Sequence, residues 1–261
     1  MPKKTLSLDI RDHLARLRLC RPDNGNAIDA TTVRDLAVAC ETIAAAEDAY
    51  AVLLTAEGES FSRGWDWQAL LGEGDDSVSA MLAQGIPTDP FGCLAELSRP
   101  VVCAINGDAI GAGLELALAC DLRIAAEGAS FALPDVSMGL LPLAGGTQRL
   151  PRLIGRARAL DLLLTGDPVD AQEALRIGLV GAVVPRERLL PEAEAIAHRI
   201  AERGPLAVRY AKEAISRGVE MPLEQALRFE NDLTVILQTT EDRAEGVRAF
   251  LEKRKAEFKG R

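Results

Sequence analysis

Histidine is nearly missing from this chain of 261 residues: His13 and His198 are the only two. His13 falls in a polar turn between short alternating segments, and His198 on the polar face of a helical stretch. Neither a histidine-dependent triad nor a histidine metal site has the residues it needs. The five cysteines, Cys20, Cys40, Cys93, Cys103 and Cys120, show no C-x-x-C spacing. Cys103 and Cys120 sit in apolar runs, where a thiol behaves as a small hydrophobe, so the set reads as reduced and structural and no metal is expected. No apolar stretch reaches the roughly 20 residues that span a bilayer. Neither G-x-S-x-G nor GxxxxGK[ST] occurs, which removes serine-hydrolase and P-loop explanations in their usual forms. An excess of positive charge is lacking too. The formal net charge is -9 at pH 7, the wrong sign for a protein that tracks phosphates. Nucleic acid and membrane are therefore not expected partners. The N-terminus has no long apolar segment, and Asp9 and Asp12 interrupt any Arg-rich, acid-poor transit peptide, so residues 1–19 read as mature structure and a cytoplasmic protein is expected.

What the chain does have is ordinary globular material, 48% hydrophobic and 26% charged, enough to bury a full core. Residues 5–10 and 14–19 alternate apolar with polar around a short turn, as the strands of a hairpin do. Asp29 or Thr31 caps a predicted helix running to about Ala46, and 51–55 is an apolar run of strand length. Residues 57–76 lack periodicity, 77–97 read as a helix, and Pro100 introduces the strand 101–105. A glycine-punctuated turn over 106–113 leads into a helix over 114–120. Short strands follow at 121–126 and 130–133, and 134–146 is a loop rich in Pro and Gly. The sheet-forming part ends near Val184. From Arg188 apolar positions recur every three or four residues to about 255, so the tail is all helix.

Chemistry is concentrated in two places. The run N-G-D-A-I-G-A-G between a strand and an apolar helix brings consecutive backbone N–H groups to a helix start, where negative charge is favoured. The same glycines also suit plain strand–helix packing. Glu115 lies just inside that helix among residues that would otherwise make it wholly apolar. It is either an acid satisfied by the helix dipole or a partly buried general acid/base. Asp135, after Pro134 at the end of a strand, is by itself ordinary turn chemistry. Paired with Glu115 it suits proton transfer.

Taken together, F-S-R-G-W-D at 61–66, N-G-D-A-I-G-A-G-L-E-L-A-L-A-C-D at 106–121 and F-A-L-P-D-V-S-M-G-L at 131–140 resemble the enoyl-CoA hydratase/isomerase (crotonase) superfamily. The likeness continues through P-x-x-G-G-T-Q-R-L at 142–150, L-T-G-D at 164–167, A-x-x-x-G-L-V at 174–180 and the terminal F-L-E-K-R-K-A-E-F-K-G-R. It implies an α/β fold with a crotonase-like repeated β-β-α spiral core over 1–200. A C-terminal helical region over 201–261 would serve oligomerisation and coenzyme A contact, in a homotrimer or a dimer of trimers. It implies a hydro-lyase acting on a 2-enoyl or 3-hydroxyacyl thioester, with isomerase and hydrolase as alternatives in the same superfamily and a non-catalytic binding member as a more distant one. Coenzyme A enters as part of the substrate, and no separate cofactor is implied. The backbone N–H groups of Trp65 and Ala112 would form an oxyanion hole, with Glu115 and Asp135 catalytic. Ala27, Arg63, Asp66, Trp67, Gly111, Phe250 and Lys253 would line the substrate or its coenzyme A. The sequence departs from the family pattern at position 135, where family hydratases usually carry glutamate, and in the bulk of Trp65 and Trp67, which would narrow the acyl pocket or stack on a cyclic acyl group.

Overall fold

A computed structural model describes residues 4–71 and 86–261. Strands β1 (Leu6–Arg11) and β2 (Leu14–Leu19) form the hairpin, in the antiparallel register Leu6 opposite Leu19. Its turn residues Asp12 and His13 both have positive φ, 52° and 62°. That is the combination a tight two-residue turn needs to match strand twist. Helix α1 (Ala30–Ala45) starts where Asp29 accepts a hydrogen bond from Thr32 N at 2.7 Å, and it buries Val33, Leu36, Cys40 and Ile43 along one stripe.

The remaining strands are β3 (Ala51–Ala56), β4 (Val101–Ile105), β5 (Ala109–Ile110), β6 (Leu122–Ala126), β7 (Ser130–Ala132), β8 (Val169–Asp170) and β9 (Ala182–Val184). The main sheet runs β1-β2-β3-β4-β6-β9, parallel from β2 onward. Strand β4 is buried on both faces, as a central parallel strand must be. Val101, Cys103 and Ile105 face the principal core. Val102 and Ala104 face a second cluster with Leu189, Ala193 and Ala197 of helix α8 (Arg186–Ala201). A smaller sheet, β5-β7-β8, lies in a second layer. Two isolated bridges continue it, Ser62 with Ala109 and Ile28 with Trp65. This second layer carries the site.

Several elements differ from the sequence reading. Of the helix expected over 77–97, residues 77–85 lie outside the described residues, and within the rest only α3 (Gly92–Ala95) is helical. The helix carrying Glu115, α4 (Ala112–Leu118), begins two residues earlier than expected, and β5 sits inside what reads as a turn. Between 146 and 176 the chain forms α5 (Gly146–Ile154), α6 (Arg156–Thr165) and α7 (Ala171–Arg176). Pro151 inside α5 and the glycines at 145, 155 and 166 interrupt the period that would have shown the first two. A short helix, α2 (Trp67–Leu71), follows the Gly64 segment. The tail is helical as expected: α9 (Pro205–Gly218), α10 (Leu223–Gln238) and α11 (Glu241–Glu252). The terminus folds back on α11, with Asp242 accepting from Lys259 N (2.6 Å) and Gly260 N (2.8 Å).

Candidate active site

Two glycine-bearing segments meet in the second layer. Ser62 N donates to Asp108 O and Ile110 N to Ser62 O, each at 3.0 Å, so the segment before Trp65 pairs with β5. Gly64 has φ of +92°, and a Cβ on it would lie 2.8 Å from Ile110 O and 3.5 Å from Ala112 N. Only glycine permits both the conformation and the approach. The next peptide puts Trp65 beside Ala112. On its other side the strand bridges Ile28: Ile28 N donates to Gly64 O, and Asp66 N to Ile28 O, both at 2.8 Å. Neither Trp65 N–H nor Ala112 N–H has an acceptor among the described residues. Ala112 opens α4, where the first N–H groups have no partner within the helix. The packing reading of the glycines holds as well: a Cβ on Gly113 would sit 2.4 Å from Ser62 O.

Glu115 is fully buried. Its Oε1 accepts from Ala144 N at 2.8 Å and Gly146 N at 2.7 Å, while Oε2 has no hydrogen-bond partner. The dipole of α4 is therefore not what satisfies it. The clamp comes from the loop before α5, and Gly146 allows it, because a Cβ there would reach to 3.0 Å from Oε1. Asp135 lies on a 3-10 turn, Pro134–Met138, and is buried, with Oδ2 also unpartnered. That oxygen is 4.0 Å from where a Gly111 Cβ would be, and Gly64 Cα is equally close to the same point. Gly111 thus faces the second carboxylate beside the Gly64–Trp65 segment.

Burial pushes the Glu115 carboxyl up to about 7, against the lowering effect of its two backbone donors, and the neighbouring Asp135 charge adds to the rise. Burial also raises Asp135. A carboxyl poised near neutrality can both take and give a proton at working pH. The same shift links to stability. Between the ordinary value of 4.5 and about 7 the folded chain holds a proton on Glu115 that the unfolded chain has released. Folding stability should then fall as pH rises through that window. Urea midpoints at pH 5 and pH 8 will show the loss in wild type and a smaller one in Glu115→Gln; equal losses in both would exclude Glu115 as its source.

Ala27, Arg63, Asp66 and Trp67 flank the bridged Ile28 and Gly64–Trp65 segments. Ala27 N donates to Asn24 Oδ1, and Asp66 Oδ1 accepts from Ala69 N in the first turn of α2. The Arg63 side chain lies over Gly25, and Trp67 packs partly buried against the core. Phe250 and Lys253 are not brought to this place. Phe250 is 82% exposed near the end of α11, and Lys253 ends that helix in the left-handed conformation. Three features escaped the sequence reading. One is the Ala144/Gly146 clamp. Another is the pairing of Arg149 with both oxygens of Asp89 (3.2 and 2.5 Å) while it also donates to Ala144 O. The third is Phe91, whose ring stacks on Trp65 at 6.2 Å between centroids. Only G-G in the 142–150 motif hinted at any of them.

Comparisons with known proteins bear on the family. Residues 9–261 match the family model described as enoyl-CoA hydratase/isomerase. A crotonyl-CoA hydratase of Syntrophomonas wolfei is 40% identical, and 99% of each chain is covered. An (E)-benzylidenesuccinyl-CoA hydratase of Thauera aromatica is 39% identical, covering 98% of this chain and 99% of the other. Among solved structures, the enoyl-CoA hydratase of Bacillus anthracis superposes with a TM-score of 0.94 at 40% identity, over 99% of this chain and all of that one. Matched along nearly its whole length in both sequence and fold, the chain belongs to the enoyl-CoA hydratase/isomerase family.

Proposed function

We propose that the protein is a hydro-lyase that adds water across the double bond of a 2-enoyl-CoA, giving the 3-hydroxyacyl thioester, or runs the reverse. The thioester oxygen lies between Trp65 N–H and Ala112 N–H, which stabilise the negative charge that develops when the β-carbon is attacked. Glu115, ionised through Oε2, takes a proton from the attacking water. The two carboxyls share one proton, and in the reacting form it sits on Asp135, which supplies it to the α-carbon. Atoms balance: the water oxygen and one hydrogen go to the β-carbon, the other hydrogen goes to Glu115 as a proton, the Asp135 proton goes to the α-carbon, and return of a proton from Glu115 to Asp135, directly or through water, restores the starting state. The observation that carries this reading is that each buried carboxylate keeps one oxygen unpartnered beside two unpartnered backbone donors. Buried polar atoms left open in this way await a ligand. An isomerase working through one carboxyl has no use for the second open oxygen.

Coenzyme A is part of the substrate in this reading, and no separate cofactor takes part. Ala27, Arg63, Asp66, Trp67 and Gly111 border it. Phe250 and Lys253 reach it from a neighbouring copy in a homotrimer or a dimer of trimers, assembled through the helical region 201–261. Support for assembly is the apolar surface left open on that region, where Val219 and Leu223 are 74% and 75% exposed, more than a lone chain usually leaves in one place. Among the described residues no helix is long and apolar enough to cross a membrane, and a cytoplasmic location fits the reading.

The test is loss of the enoyl-thioester absorbance band on adding enzyme to crotonyl-CoA. Hydration is expected with wild type; an unchanged band at high enzyme concentration would overturn the hydratase reading for short acyl chains.

A further inference from the structure

Among the described residues, five buried side-chain polar atoms have no hydrogen-bond partner, and three of them belong to residues of the candidate site: Glu115 Oε2, Asp135 Oδ2 and Trp65 Nε1. The carboxylate oxygens are used by the chemistry proposed above. The indole N–H is not. A buried donor without an acceptor loses its water and gains nothing, so natural structures rarely keep one that no ligand completes. Trp65 is 6% exposed, so solvent does not complete it.

The surroundings of this indole say what does. Trp65 supplies a main-chain N–H beside Ala112, so its side chain starts at the reacting end of the site. Its ring stacks on Phe91, and both belong to the principal apolar core. Two residues before Phe91, Asp89 holds Arg149, which in turn holds the Ala144 carbonyl next to the Glu115 clamp. The segment carrying Phe91 therefore ties the strand of Trp65 to the loop that clamps Glu115. An apolar wall interrupted by one N–H suits a chain that is apolar except for one oxygen. A carboxylate against that N–H would gain one neutral donor for its lost hydration, which is far costlier than burying a ketone or hydroxyl.

Resting on the hydratase reading, we propose that Trp65 is a specificity-determining residue whose indole N–H donates to a neutral keto or hydroxyl oxygen carried by the acyl group beyond its β-carbon. The preferred substrate class is then an oxygenated enoyl thioester, with crotonyl-CoA accepted but not favoured. A site built around such a hydrogen bond rejects the analogue that lacks the oxygen, because the donor is again left unpaired.

The experiment uses two saturated thioesters that cannot be hydrated, 4-oxopentanoyl-CoA and pentanoyl-CoA, which differ at one carbon. The chain has two tryptophans, so protein labelled with nitrogen-15 at tryptophan shows two indole N–H resonances, and the one missing from Trp65→Phe is that of Trp65. It is expected to move downfield with 4-oxopentanoyl-CoA and far less with pentanoyl-CoA. Wild type should bind the keto ligand at least about tenfold more tightly, and Trp65→Phe should bring the two dissociation constants together. Equal affinities in wild type, or an indole signal that responds identically to both ligands, would sink the proposal while leaving the hydratase reading in place. If neither thioester binds while crotonyl-CoA is still hydrated, the proposal falls and the hydratase reading stands. Glutaryl-CoA serves as a third ligand; tighter binding than the keto compound would overturn the choice of a neutral acceptor.

Discussion

Replacing Glu115 with glutamine is expected to lower kcat for crotonyl-CoA hydration by about 10²–10⁴-fold, the usual contribution of a positioned general base. The substitution is nearly isosteric. The side-chain carbonyl can still accept from Ala144 N and Gly146 N, so the clamp at 2.8 and 2.7 Å survives. What is lost is the proton acceptor on the open oxygen. Because ground-state contacts to the thioester are untouched, KM should move little, the pattern of an interaction made only in the transition state. The pH profile gives an independent check. If Glu115 must be ionised, kcat/KM rises with pH through the region near 7 to which burial has pushed it, and that limb disappears in the variant. Wild-type-like turnover in Glu115→Gln would remove the residue from the mechanism.

Gly113→Ala is the second large effect, and it acts through the backbone. An added Cβ would meet Ser62 O at 2.4 Å and Ser62 Cβ at 2.7 Å, separations that real atoms do not adopt. Neither neighbour is a flexible chain end. Ser62 N and O are both held by the β5 segment, and Ser62 Oγ donates to Asn26 O at 2.9 Å. The strand and the helix start must therefore part. Overpacking of this kind costs on the order of 1–3 kcal/mol, and here it also separates Ala112 from Trp65. Losing one oxyanion donor is worth about 10²–10³ in kcat, so activity should drop by that factor in protein that still folds, with a lowered Tm. A variant with unchanged kcat would mean that the two N–H groups do not act together on one oxygen.

How far the sequence discloses this molecule depends on the range of the interactions that fix each part. The α1 cap at Asp29, the β1–β2 turn at Asp12 and His13 and the strand β4 after Pro100 are set by residues within a few positions, and all can be read directly. The α4 start is also legible, because glycines at 111 and 113 announce a backbone that must come close to something. What they approach is not legible. Ser62 and Ile110 are brought together by sheet pairing, and no local pattern records it. The same holds for the partners of Glu115. A lone acid in an apolar helix signals a special environment, yet the donors lie 29 and 31 residues further on. Arg149 and Asp89 are 60 residues apart, each unremarkable in its own segment. Helix α5 is hidden for a different reason: Pro151 and its flanking glycines speak against a helix locally, and packing overrides them.

The clamp on Glu115 has a stereochemical consequence. With Oε1 occupied by two backbone donors, only Oε2 can exchange a proton, and its direction is set by the main chain rather than by a rotating side chain. Water held on that oxygen meets the flat enoyl group from one side only. In the proposed reaction, with the thioester oxygen also fixed, the new carbon–oxygen bond forms on a single face and the 3-hydroxyacyl product leaves as one enantiomer, the base held in place by two peptide N–H groups that never touch the substrate.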